Sequence, residues 1–356
     1  MDQVRYGIIG FGGIAELRLA KEGFGLDSTR FTKTERAVLI TGWDPSPARR
    51  RAAEALGITC SGSIEEILDN PLVDAVIVAT NNRNHAPVAK RALLAGKHVF
   101  LEKPAGVSMP EVRELVALAS GRHLSLGIDH MMVKNAYNEL ARDMVRSNAI
   151  GRLDHMVLHM EFSYGKEPGE AATWRCADPL ELGGPVGDVG SHCFYMAEFL
   201  AGEPITALSC TYAPKRLGIV VEDGAYMRFT TRSGIEGTIR VSFDQTRGND
   251  AQTLLNLGFE LYGDTGEIDS HGTLFQLSGH KDEPIGLSLD VLSQGRRVAC
   301  TPPVIENIYR KQIEEHALSI MENEPLDGMA ALHNLDLILK SHESAGKGGI
   351  HIEVRS

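Results

Sequence analysis

Apolar residues in the first third of the chain fall in short unbroken runs, each followed by a polar turn and then by a stretch with helical spacing. Val4-Arg-Tyr-Gly-Ile-Ile, Ala37 to Trp43, Asp74-Ala-Val-Ile-Val-Ala-Thr, Lys97-His-Val-Phe-Leu and His123 to Asp129 are such runs. Continuous apolar runs of that length suit parallel strands buried on both faces. The segments between them, from Glu16, Ala48 to Leu56, Ala86 to Ala95 and Val112 to Ala119, read as helices. Gly96 stops the third, and Ser63-Ile-Glu-Glu66 and Ser108-Met-Pro-Glu111 have the form of capping boxes. The alternation predicts an α/β Rossmann domain over residues 1–130. After a helix Tyr137 to Ser147 and a break at Gly151, the texture changes. Leu153 to Phe162, Thr206 to Tyr212, Ala225 to Thr230, Gly237 to Phe243 and Phe259 to Tyr262 read as strands joined by turns, so residues 131–356 are expected to form an α+β domain with a large, mostly antiparallel sheet. Helices Asn307 to Met321 and Ala330 to Ser344 and a short strand Ile350 to Val354 close the chain, with a C-terminal helix expected to pack back on the first domain.

In an open parallel sheet, ligands lie outside the carboxyl ends of the strands. Two segments fall there: Thr80-Asn81-Asn82, and Glu102-Lys103-Pro104, in which Pro104 biases Lys103 towards extended backbone. The first strand runs into Gly10-Phe11-Gly12-Gly13-Ile14-Ala15, a Gly-x-Gly-x-x-Ala turn opening a helix. Gly10 would make the tight turn, Gly12 would admit a pyrophosphate to the backbone, and Ala15 would let helix and strand pack closely. A glycine-rich turn without a ligand is the plainer reading of that motif alone. Asp44 ends the second strand, where an acidic residue binds adenosine ribose hydroxyls and disfavours a 2′-phosphate. It stands further from the glycines than usual, with the polar stretch from Gly23 to Arg36 as an inserted loop, and Asp44-Pro-Ser-Pro is equally good chemistry for starting a helix. Arg49 and Arg50 leave NADP open beside NAD.

A formal net charge of -11 argues against a nucleic-acid partner or a polybasic membrane contact. Five scattered cysteines with no Cys-x-x-Cys pair suit free thiols in a reducing compartment. No apolar run reaches membrane-spanning length and no leader pattern opens the chain, so a cytoplasmic location is expected.

The second domain carries one chemically dense segment, from Trp174-Arg175 through Gly183-Gly-Pro-Val-Gly-Asp188 to His192 and Tyr195. A helix from near Gly187 would put Asp188, His192 and Tyr195 in one row beside an apolar row of Val189, Cys193, Met196 and Leu200. A carboxylate one turn from an imidazole suits general acid-base work. An aspartate favoured by the helix dipole beside a core histidine is the alternative. His155 and His159 share a strand face, yet no third ligand at supportive spacing accompanies them, and no metal is expected.

Taken together, Gly10-x-Gly12, His85, Gly96-Lys-His-Val through Glu102-Lys103-Pro104, and Asp188-x-x-x-His192 after Gly183-Gly184 resemble the glucose-fructose oxidoreductase, inositol dehydrogenase and rhizopine-catabolism (Gfo/Idh/MocA) family. The resemblance implies that Lys103, Asp188 and His192 surround the reacting carbon of a sugar or polyol. It implies a cofactor site of Gly10, Phe11, Gly12, Gly13, Ile14, Ala15, Asp44, Thr80, Asn81, Asn82, His85, Glu102 and Lys103, holding NAD, with NADP possible. The chain departs from the pattern at Thr80-Asn81-Asn82, where Thr-Pro-Asn is common, and at Tyr195, where an aspartate often stands. It departs again at Asp129-His130-Met-Met-Val-Lys134-Asn135, where an arginine is frequent. His130, Lys134, Trp174, Arg175 and Tyr195 are therefore expected, with the three catalytic residues, to shape the substrate site. The implied activity is an NAD(P)-dependent dehydrogenase interconverting a secondary alcohol and a ketone on a sugar, an inositol-like polyol or a sugar acid, in a homodimer or homotetramer. A sugar sensor or transcriptional co-regulator on the same fold, and a redox-neutral glycoside-cleaving enzyme, are the alternatives.

Overall fold

The computed structural model describes residues 2–244, 257–274 and 287–354. These residues divide into two compact units, the first comprising 1–131 and 306–332 and the second most of the remainder. The first unit additionally takes in the helix Ile308–Met321.

The first unit is built on β1 (Val4–Ile9), β2 (Ala37–Trp43), β3 (Thr59–Cys60), β4 (Ala75–Val78), β5 (His98–Leu101) and β6 (Leu126–Ile128). They form one parallel sheet in the order β3-β2-β1-β4-β5-β6. Chain order reverses between β1 and β4, which is where a doubly wound sheet opens its ligand crevice. All four residues of β4 are buried, as its unbroken Ala-Val-Ile-Val predicts. The helix caps are less uniform than their sequences suggest. Ser63 Oγ accepts from Glu66 N at 3.2 Å. Ser108 makes no such bond to its helix, which begins instead with Pro110 in the first turn.

The second unit carries β7 (Leu153–Glu161), β8 (Ile205–Tyr212), β9 (Gly224–Thr231), β10 (Glu236–Ser242), β11 (Leu257–Gly263), β12 (Gly266–His271), β13 (Ser288–Ser293), β14 (Arg296–Ala299) and β15 (Ile352–Glu353). Their order is β14-β13-β12-β11-β7-β10-β9-β8-β15, antiparallel throughout except for β7 beside β10. In β7, Met156, Leu158 and Met160 are buried while His155, Val157 and His159 are half-exposed, the period-two alternation of a sheet with one covered face. The strands β13 and β14 carry no sequence signal because, apart from buried Leu289, their residues are exposed or half-exposed and mixed in polarity. No described helix is long and apolar enough to cross a membrane, and no group of three His, Cys, Asp or Glu side chains among the described residues could hold a metal ion.

Candidate active site

In the first unit the glycine turn is set by contact with the next strand. Gly10 has φ +89°, its N–H donates to Trp43 O at 2.8 Å, and a Cβ there would lie 2.5 Å from Ala79 O. Only glycine tolerates both that backbone conformation and that approach. A Cβ at Gly12 or Gly13 would meet nothing within 4 Å among the described residues, so this side of the turn has room for a group the size of a phosphate. The helix Ile14–Gly23 follows directly, wound with the wider π spacing, and the positive end of its dipole lies at the glycine turn. Ala15 is buried, which allows the close packing expected of it.

Asp44 takes one of the two roles its sequence context suggests, that of helix start, and adds a contact to the glycine turn. Its Oδ1 accepts from Ser46 N at 2.8 Å and so holds the start of the helix Pro47–Ala55. Its Oδ2 accepts from Phe11 N at 2.8 Å and ties the second strand to the glycine turn. Each carboxylate oxygen accepts more than one hydrogen bond, which leaves capacity for ribose hydroxyls. The neighbouring arginines are turned elsewhere: Arg50 Nη1 donates to Asp44 O at 2.6 Å, and Arg49 pairs with Glu16 at 3.3 Å.

His85 joins the two loops at the strand ends. Only 1% exposed, it places Nδ1 2.7 Å from Pro104 O and Nε2 3.0 Å from Thr80 O. Burial pushes this imidazole down to about 4, so near neutral pH it carries one N–H for two carbonyl oxygens. The side chain therefore reads as a tie between the Thr80-Asn81-Asn82 loop and the Lys103-Pro104 turn. Asn81 begins the helix Asn82–Leu94, and Asn82 is buried at its first position. Lys103 follows β5 directly, between buried Glu102 and a cis peptide bond to Pro104. His130, after β6, is buried and pushed down to about 3, by desolvation first and then by the positive charge of Lys103.

In the second unit the segment 186–201 is not one uniform helix. Val186–Gly190 forms a wide π turn that leads into the α-helix Ser191–Ala201. Asp188 stands in that turn, with Oδ2 2.9 Å from Arg175 Nε, and the Arg175 guanidinium lies 4.6 Å from the Trp174 ring centre. His192, 4% exposed, has Nδ1 2.6 Å from the Tyr195 hydroxyl. The same hydroxyl accepts from Met132 N at 3.3 Å. Tyr195 thus occupies the second ring nitrogen of His192, the position from which an imidazole is oriented. Lys134 ends the 3₁₀ turn Met131–Lys134 and is half-exposed.

Glu222 belongs to this segment although nothing in the sequence marks it. Its Oε1 accepts from Val186 N at 2.9 Å and caps the turn that carries Asp188. Burial raises its carboxyl to about 7, against the opposing effect of that amide. The two residues are 36 positions apart in a polar loop and a glycine-rich turn, so only the fold pairs them.

A glycine turn with room for a diphosphate, an acidic residue at the end of the second strand and a lysine at the carboxyl edge define a dinucleotide-binding Rossmann unit. Family models confirm it and extend it. Residues 4–130 match the oxidoreductase family with an NAD-binding Rossmann fold, and residues 139–269 match the GFO/IDH/MocA C-terminal domain. The chain belongs to the Gfo/Idh/MocA oxidoreductase family. It is 28% identical over 216 residues to 1,5-anhydro-D-fructose reductase of Ensifer adhaerens, a match covering 60% of this chain and 62% of that one. It is also 28% identical over 243 residues to dTDP-3,4-didehydro-2,6-dideoxy-alpha-D-glucose 3-reductase of Streptomyces violaceoruber, covering 66% and 65%. Both matches therefore span less than two thirds of the relative. Among solved structures, aldose-aldose oxidoreductase from Caulobacter crescentus, complexed with glycerol, shares the fold with TM-score 0.83 at 22% identity, over 99% of this chain and 100% of that one.

Proposed function

We propose that this protein is an NAD-linked dehydrogenase interconverting a secondary alcohol and a ketone on a sugar, a polyol or a sugar acid. The observation that carries the reading is the pairing, in one chain of this family, of a glycine turn with open room at Gly12 and a buried His192 oriented by Tyr195. Bound nicotinamide supplies the hydride acceptor. His192 takes the hydroxyl proton as the alcohol is oxidised, and Lys103 donates a hydrogen bond to the reacting oxygen. The two can exchange roles, since a lysine desolvated in an active site can itself serve as base. Asp188, held by Arg175, contributes negative charge beside His192, and Trp174, Arg175, His130, Lys134 and Tyr195 select the substrate. Asp44 favours NAD over NADP.

A panel of sugars, polyols and sugar acids, followed by NADH absorbance, tests the reading. Reduction of NAD by at least one member is the expected result. No turnover of any member with either cofactor, in either direction, would sink it.

We also propose that the half-exposed face of the nine-stranded sheet is covered by a second copy of the chain. Val157, Tyr226 and Tyr262 lie among charged neighbours on it, a mixture suited to an interface between like subunits. Light scattering should give a dimer or tetramer, and a monomer at all concentrations would remove this part alone.

A further inference from the structure

The carboxyl edge of the six-stranded sheet holds a second acidic group behind Lys103. Leu101 of β5 pairs with Ile128 of β6, so the next residues, Glu102 and Asp129, leave adjacent parallel strands side by side. Their backbones continue the ladder: Glu102 N donates to Val78 O at 3.0 Å and Asp129 N to Leu101 O at 2.8 Å. Both side chains are enclosed, Glu102 at 8% exposure and Asp129 at 0%. Neither oxygen of Asp129 receives a hydrogen bond from any fixed N–H or O–H donor among the described residues. The strand register sets its carboxyl beside that of Glu102, which acts on it by charge and hydrogen bonding. Two carboxyl groups hydrogen-bond to one another only when one of them keeps its proton.

We propose that Glu102 and Asp129 share one proton and present a single fixed negative charge behind Lys103, with Asp129 as a positioning residue for that lysine. The role deepens the dehydrogenase reading and rests on Lys103 being its acid-base lysine. The surroundings agree. Desolvation, then the charge of Glu102, hold the Asp129 carboxyl well above the usual carboxylate range, with Lys103 as the opposing influence. His130, next in the chain, is pushed down to about 3 and brings no charge at neutral pH. Tyr309, on the helix Ile308–Met321, is buried with its hydroxyl unpaired among the described residues, and its own titration is raised by burial, Asp129 and Glu102. Arg18 and Glu22 are the remaining charges that act on that helix face. A lone carboxylate pair here would set two negative charges in contact away from water, which the shared proton avoids.

The pair makes a protonated carboxyl at neutral pH, and infrared spectroscopy of the full-length protein reads it directly. Because Glu222 is itself partly protonated near pH 7, the band is read in a Glu222→Gln background, where a buried carboxylic-acid band is expected at pH 7 and should disappear when Asp129→Asn is added. The second readout is the pH profile of kcat/KM. Asp129→Asn keeps the shape and the hydrogen-bonding capacity of the site but cannot lose a proton, so its alkaline limb should shift by at least half a pH unit, with kcat at pH 7 within about tenfold of the parent. A residue that merely fills space would leave the profile superimposable. Absence of the infrared band, or an unmoved profile, overturns the proposal. The band is independent of turnover, so it stands or falls even if no sugar proves to be a substrate, and it can be read in Glu222→Gln alone if Asp129→Asn does not fold.

Discussion

Lys103 reaches the surface at the end of a strand buried on both faces, whereas His192 stands in the first turns of a helix that begins from a wide turn. The lysine is placed within the strand ends of one sheet: β5 before it, Pro104 after it, and His85 holding the Pro104 carbonyl. The histidine is placed by residues brought in from elsewhere. Tyr195 meets its ring, Arg175 meets the carboxylate one turn before it, and Glu222 caps the turn itself. The lysine therefore depends on the neighbouring strand ends of one sheet, while the histidine depends on loops and turns drawn from several segments.

Removing the acid-base groups is the largest expected effect. Lys103→Met and His192→Ala should each bind NAD as the parent does and lose on the order of 10²-fold or more in turnover. Tyr195→Phe should lose less, roughly tenfold, because it frees the ring nitrogen of His192 without removing the ring. Steady-state kinetics on one confirmed substrate decides all three. If Lys103→Met turned over at the parent rate, the acid-base assignment of this lysine would be wrong, whatever the glycine turn binds.

The glycine turn separates folding from binding within a single motif. At Gly10 a Cβ would lie 2.5 Å from the Ala79 carbonyl at a φ of +89°, so Gly10→Ala should destabilise the first unit by about 1–3 kcal/mol or more. At Gly12 a Cβ meets no described atom within 4 Å, so Gly12→Ala should melt like the parent and weaken NAD binding. Thermal melting and calorimetric titration read the two halves. Equal melting temperatures for both variants would show that the strand contact at Gly10 is not what demands glycine.

These contrasts also explain what could be seen in the sequence. The parallel sheet, the glycine turn, Asp44 and Lys103 were legible because continuous apolar runs and short motifs encode them locally. The change from a parallel to a mostly antiparallel sheet was visible in the change from unbroken to alternating apolar residues. Glu222, the Arg175 ion pair with Asp188 and the Glu102 contact with Asp129 were not, because each depends on which segments the fold brings together. The strands β13 and β14 escaped for a different reason: they bury too little to impose a pattern.

Cofactor choice should follow the same local logic, with a smaller effect. Asp44 Oδ2 is already engaged by Phe11 N, so its charge stands at the glycine turn whether or not ribose is bound. NAD should bind about 10- to 100-fold more tightly than NADP, the scale of a hydrogen bond to a charged group. Calorimetry with both cofactors checks it, and a preference for NADP would mean that Asp44 only organises the turn and the helix start.

The smallest effect distinguishes the two units by acid sensitivity. In the first unit His85 is pushed down to about 4, and His130 and His316 to about 3, in each case chiefly by burial. His316 meets the Tyr6 hydroxyl at 2.8 Å inside that core. An unfolded histidine takes up a proton near pH 6.5, whereas these three stay neutral while folded, so below that pH the unfolded state binds more protons. Stability of the first unit is therefore complete above about pH 6.5 and falls as the pH drops towards 4. The second unit opposes two histidines. Burial lowers His342 to about 4, while at His333 desolvation, the largest single influence, is outweighed by the hydrogen bond and charge of Glu198 together with the charge of Asp336, which raise it. A raised histidine adds stability as the pH falls through its folded value, which offsets part of the loss at His342. Amide hydrogen exchange at pH 7.5 and pH 5, corrected for the intrinsic rate, should show protection falling further in β1, β4 and β5 than in β7 to β10. Equal losses in both sheets would mean that the buried histidines of the first unit are not its acid-sensitive element.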